Sequence, residues 1–230
     1  MIQIRDLEFR YGSEFTLRVP ELSIQSGEKV AMVGPSGSGK TTLLMLFAGV
    51  TMPQRGSIRV ADTQVDQLTD SARRSFRARR IGMVFQDFEL IEYLSVEYNI
   101  LLPFLINSSM RLTSEIRARV RSLAKATGLA EKLARYPRQL SQGEQQRVAI
   151  CRAMITQPKL LLADEPTGSL DLSTANNVLD LLIEHVDQCG TTLLMVTHDR
   201  GLLAKFDRTI NLADFHAPNA GSLKAIEKVV

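Results

Sequence analysis

A chain of 230 residues with 44% hydrophobic and 23% charged side chains has a globular composition, which excludes a disordered or collagen-like protein. Two cysteines, Cys151 and Cys189, are too few for a disulfide framework and suit a reducing compartment. The formal net charge of +3 is a mild basic excess, read as a solvated surface of mixed sign in preference to a nucleic-acid face.

The first six residues, Met1-Ile2-Gln3-Ile4-Arg5-Asp6, lack the basic-then-apolar run of a signal peptide. Short strands are predicted at 2–4, 15–19, 22–24 and 29–33. A glycine-rich loop from Gly34 opens onto an apolar helix over 41–48, and strands are predicted again at 57–60 and 81–85. From about residue 87 to 154 helical spacing dominates, as in 114–127 and 144–154. Two uniformly apolar strands follow, 160–163 and 192–196, with a helical segment over 172–186 between them. Such strands alternating with helices predict an α/β core whose parallel sheet is covered on both faces, interrupted by a helical insertion. The longest apolar runs, 100–106 and 160–163, fall well short of the roughly 18 residues that a membrane span needs. There is no internal repeat of solenoid or propeller type.

Gly34-Pro35-Ser36-Gly37-Ser38-Gly39-Lys40-Thr41 fits the phosphate-loop pattern G-x-x-x-x-G-K-[ST] in full, between a predicted strand and a predicted helix. Glycines let backbone N–H groups converge on an anion without Cβ obstruction, and a helix N-terminus adds partial positive charge. Lys40 then reaches the β- and γ-phosphates of a nucleotide, and the Thr41 hydroxyl is a ligand for Mg²⁺; Thr42 is grouped with the loop as nucleotide-binding. Metal held on phosphates also needs a hard oxygen from the protein. The apolar strand at 160–163 runs directly into Asp164, which is assigned that role. Glu165 follows at once; adjacent residues on a strand point to opposite faces, so the two acids cannot do the same job, and a glutamate just past the strand end can polarise a water for in-line attack on the γ-phosphate.

Leu140-Ser141-Gln142-Gly143-Glu144 precedes a helix and lies some twenty residues ahead of the acidic strand, and it resembles the LSGGQ signature of ABC-type ATPases, the nucleotide-binding subunits of ATP-binding-cassette transporters. Other marks of that family stand in order. Tyr11 is similar to the aromatic that stacks on adenine, Gln86 to the Q-loop glutamine, Ser169-Leu170-Asp171 to the D-loop, and Thr197-His198-Asp199 to the switch-histidine segment. Two positions depart from the signature, Gln142 for a glycine and Glu144 for the glutamine, while Ser141 and Gly143, which place a hydroxyl and an unobstructed N–H, are kept.

The resemblance covers residues 2–212 and implies a P-loop NTPase fold of ABC type: a mostly parallel core sheet, a small antiparallel β region, and a helical subdomain at about 87–154 inserted in a single ATP-binding domain over 1–230. It implies ATP and Mg²⁺ as cofactors and a head-to-tail dimer of two copies, in which Ser141 and Gly143 of one close over ATP on the other. Glu165 would orient water, His198 would contact the γ-phosphate, Gln86 would link metal or water to the partner protein, and Asp171 would act across the dimer interface. A separate transmembrane permease would dock near 86–105, a stretch dense in apolar and aromatic residues, leaving this chain peripheral on the cytoplasmic face of the inner (plasma) membrane. Within the family the motifs are most similar to the branch of lipoprotein-releasing, macrolide- and peptide-export and cell-division ATPases, which implies export or mechanotransmission. The alternative is a nucleotide-dependent switch that activates a membrane partner without moving substrate. Five arginines within 73–80 are read as a solvated or membrane-facing surface, with no nucleic-acid partner.

Overall fold

The computed structural model describes residues 1–12, 14–168, 170 and 172–215. Ser169 and Asp171 of the D-loop resemblance lie outside the described residues. The described residues form two compact units, one made of those in Met1–Arg77 and from Thr192 to Phe215, the other of those in Ala78–Thr191.

In the first unit, β1 (Ile2–Tyr11) pairs antiparallel with β2 (Phe15–Ile24) and with β4 (Arg55–Val60), and β5 (Thr63–Gln64) extends the same sheet. The alternation that marks 2–4 as a strand switches parity at Asp6. Ile2 and Ile4 are buried, then Leu7 and Phe9, because the register against β4 shifts between Arg5 and Glu8 and Asp6 takes φ +48°. The two strands predicted at 15–19 and 22–24 are one. Pro20 between them donates no ladder bond, which an edge strand tolerates, and β2 stands at the edge of its sheet. A parallel set, β3 (Lys29–Val33) flanked by β8 (Thr192–Val196) and β9 (Arg208–Asn211), forms the unit's second sheet region. β3 and β8 are almost wholly buried, as their unbroken apolar sequences require. From the end of β3 the chain passes through the glycine-rich loop into α1 (Lys40–Phe47), whose Leu43, Leu44, Leu46 and Phe47 are buried.

In the second unit, β6 (Ile81–Val84) and β7 (Leu160–Asp164) pair in parallel, Val84 opposite Ala163. Three helices lie between them in sequence: α3 (Val96–Leu105), capped by Ser95, α4 (Ser114–Ala126), capped by Thr113, and α5 (Gln142–Met154), capped by Ser141. α6 (Leu172–Cys189) follows β7. α2 (Asp70–Arg80) precedes β6. It was not predicted, since its five arginines surround a single buried apolar residue, Phe76. α3 contains Pro103, which obscures its helical character in sequence.

Candidate functional site

The site residues divide between the two units. In the first, the phosphate loop and α1 form an anion cradle built by backbone. Gly39 caps α1 with φ +96°, a left-handed conformation that side-chain-bearing residues seldom adopt. A Cβ at Gly39 would come within 2.8 Å of the Phe15 ring, so the position is closed to side chains by space as well as by φ. No side chain caps α1 and its first turn holds no acidic residue, which leaves its N-terminal N–H groups and partial positive charge for an anion. Lys40 is buried, and its ammonium donates to the carbonyls of Gly34 (2.9 Å) and Pro35 (3.0 Å), curling back over the loop where phosphates would lie. Thr41 is exposed at the helix start and Thr42 half-buried behind it, while Pro35, Ser36 and Gly37 form the exposed rim and Ser38 is buried.

Tyr11 closes β1 half-exposed, edge-on to Phe9 with ring centroids 4.6 Å apart and 6.2 Å from Phe15, the ring that contacts Gly39. An aromatic face is thus available beside the loop for a flat ring system. His198 is exposed just beyond β8. The preceding residue, Thr197, donates its N–H to Met32 of β3 (3.2 Å), two residues before Gly34, so His198 and the loop leave the parallel strands at the same end.

In the second unit the β6–β7 register places Gln86 and Glu165 alike, each two residues beyond the paired Val84 and Ala163. Asp164 ends β7 half-buried. Glu165 is not turned by strand alternation as predicted. It leaves the strand with φ +45°, in a tight turn closed by the Gly168 N–H on its carbonyl (3.0 Å). Ser141 and Glu144 form a reciprocal capping box at the start of α5. The Glu144 N–H donates to Ser141 Oγ (3.3 Å) and the Ser141 N–H to the Glu144 carboxylate (2.9 Å). With Oγ accepting from the helix, the Ser141 proton is left to donate outward. Gln142 is exposed. Gly143 has a packing reason as well, since a Cβ there would meet the Thr174 methyl at 2.8 Å.

Three residues unmarked by sequence reading organise these segments. Asn99, fully buried, donates to the carbonyls of Ile91 (3.0 Å) and Leu94 (2.9 Å) and accepts from the Ile91 N–H (2.8 Å), fixing the loop before α3. That loop and α3 display Ile91, Tyr93, Tyr98, Leu105 and Ile106, with Tyr93 88% and Ile106 75% exposed. Gln146 and Arg152 of α5 reach the turns after Glu165 and Gln86. A polar residue set among apolar helical neighbours was the available signal for Asn99 and Arg152; Gln146, flanked by Gln145 and Arg147, carries no such signal. The arginine run is largely occupied: Arg73 bonds the Leu68 carbonyl (2.9 Å), Arg74 pairs with Asp70 (2.6 Å), and Arg77 bonds the carbonyls of Ala48 and Gly49 at the end of α1 (both 3.4 Å).

Residues 17–168 match the family model described as ABC transporter. The chain is 41% identical over 218 residues to the lipoprotein-releasing system ATP-binding protein LolD of Geobacter metallireducens, covering 93% of this chain and 96% of that one. It is 42% identical over 194 residues to "Uncharacterized ABC transporter ATP-binding protein YbbA" of Escherichia coli, covering 84% of each. Among solved structures it resembles the dimeric bacterial ABC transporter cassette MJ0796, with TM-score 0.82, 34% identity, and 92% and 94% of the two chains covered. A post-hydrolysis dimer of the same cassette bound to ADP and Pi gives TM-score 0.81 at 32% identity, with 92% and 94% covered.

Proposed function

The chain belongs to the ABC transporter family as an ATP-binding ATPase subunit, and from that membership we propose that two copies close head to tail on ATP to drive a separate membrane permease of the lipoprotein-releasing or export type. The observation that carries the reading is the full phosphate loop with Lys40 seated on its own carbonyls, in a chain that also presents the capped Ser141 of the signature. Residues 34–42 hold the phosphates, Tyr11 takes the adenine, and Ser141 with Gly143 meets the nucleotide of the other copy. Asp171 acts at the same dimer interface.

Mg²⁺ takes oxygen ligands and keeps several from water and phosphate, so it needs few from protein. Thr41 and Asp164 are donors of that class, and among the described residues no cluster of three His, Cys, Asp or Glu offers a site independent of a nucleotide. Thr41, Asp164 and Gln86 would hold Mg²⁺, which would supply neutralisation of phosphate charge when bound. Glu165 accepts the proton of the attacking water as its oxygen bonds to the γ-phosphorus and the bond to ADP breaks. His198 donates to the γ-phosphate. Loss of that phosphate removes the contact holding the two copies together, so closure follows nucleotide state.

No helix among the described residues is long and apolar enough to cross a membrane. The exposed Ile91, Tyr93, Tyr98, Leu105 and Ile106 form the surface for a helix of the permease, which makes the chain peripheral on the inner membrane. The relatives named for lipoprotein release support that branch. Glu165→Gln tests the assignment. The variant is expected to bind ATP with parental affinity, lose hydrolysis by at least about a hundredfold, and accumulate as a dimer in light scattering. Parental hydrolysis would remove Glu165 from the role.

A further inference from the structure

The helix that begins with the signature holds two other segments of the site. The fully buried amide of Gln146 donates to the carbonyl of Pro166, the residue after Glu165. Farther along α5, the buried guanidinium of Arg152 donates to the carbonyls of Phe88 (2.6 Å) and Glu89, two and three residues after Gln86. Each held segment contains backbone that side-chain-bearing residues rarely adopt, with φ +45° at Glu165, +60° at Phe88 and +49° at Glu89. Such conformations persist only where surrounding contacts over-determine them.

Neither side chain is there to fill space. Gln146 Oε1 is buried with no hydrogen-bond partner among the described residues, a cost that a methionine or leucine of similar volume would not carry. What glutamine adds is the donor aimed at Pro166. Arg152 takes a charge to nine-tenths burial, and its planar fork fixes separate N–H groups on two successive carbonyls. A helix of 13 residues, bonded along its length, joins the two anchors.

We propose that Gln146 and Arg152 are positioning residues that make α5 a strut, so that the backbone after Gln86 and the backbone after Glu165 shift together. The strut rests on the roles given above to Gln86 and Glu165. Through it, movement of the loop leading to the docking surface would change the placement of the water-orienting carboxylate.

Hydrogen–deuterium exchange on the full chain with ATP bound, together with steady-state hydrolysis, tests this in Gln146→Met and Arg152→Lys. Each variant should speed exchange at least threefold in both segments, 86–90 and 164–168, while residues 1–24 stay unchanged. Each should also lower kcat at least fivefold with KM for ATP within twofold. Loosening confined to the segment each side chain touches would overturn the strut, as would an unchanged kcat. Should Gln146→Met loosen residues 1–24 too, Gln146→Leu decides, since it also removes the donor without adding a charge or a new O–H, and the same crossed pattern is required of it. Parental hydrolysis by Glu165→Gln would sink the catalytic assignment alone, because the crossed exchange is read without reference to turnover.

Discussion

Lys132 and Glu144 are joined by an ion pair that ties the short turn before the signature to the first turn of α5. The same carboxylate closes the capping box on Ser141, so the departure from glutamine at position 144 has a structural partner of its own. The Lys132 ammonium, and then the Ser141 N–H, hold the Glu144 carboxyl below its ordinary pKa of 4.5. A carboxyl depressed by folding stabilises the protein above its unfolded pKa, and that contribution fades as pH falls through the lower folded value. Glu144→Gln keeps the capping-box geometry and loses only the charge. Its urea-unfolding deficit against the parent is therefore expected to be constant from pH 6 to 8, at about 1 kcal/mol, and to shrink as pH drops below about 4.5. A deficit unchanged into acid would assign the effect to packing.

Lys40→Met removes the one ammonium of the phosphate loop. Hydrogen bonds to a charged group contribute about 1.5–3 kcal/mol, so ATP affinity should fall roughly 10- to 100-fold. Calorimetric titration with ATP measures it, and parental affinity would show that the loop holds phosphate by backbone alone.

Gly39→Ala brings a methyl group against Phe15 and places alanine at φ +96°. A destabilisation of about 1–3 kcal/mol is expected from the backbone and the overpacking together. Adding Phe15→Leu separates the two. It should return the steric part in thermal unfolding and leave the backbone part, and full recovery would mean that the left-handed conformation costs nothing here.

Burial pushes the Cys151 thiol up to about 11, with Thr127 at 3.3 Å opposing the shift, whereas Cys189 is exposed. Thiolate is the reactive form, and at pH 8 Cys151 holds only about one part in a thousand of it. Iodoacetamide at pH 8 should add one label per native chain, at Cys189, and two after denaturation. Mass spectrometry that found Cys151 labelled in the folded protein would contradict its burial.

The glycine-rich loop was legible because its geometry is local: eight consecutive residues carry the turn and the start of α1. β3, β7 and β8 were legible because full burial leaves an unbroken apolar run. The Asp6 bulge and the fusion of two predicted strands across Pro20 were hidden, since a parity switch and an edge position belong to pairing partners far along the chain. Glu165 illustrates the limit within a motif. Strand alternation does not reach it, because the chain has already left the strand in a positive-φ turn. Gln146 and Arg152 act on backbone carbonyls 20 and more than 60 residues away, and a carbonyl has no sequence signature.

The exposed aromatic and aliphatic residues around Tyr93 set a condition on supply. A chain whose partner covers that face is soluble as part of a complex, while each surplus copy shows it to chaperones and to other surplus copies. If the proposed permease is the partner that covers this face, the amount of this subunit that a cell can keep in useful form is capped by the number of permeases made beside it. Matched synthesis of the two would serve as quality control, and overproduction of the ATPase alone would yield aggregates more readily than extra turnover.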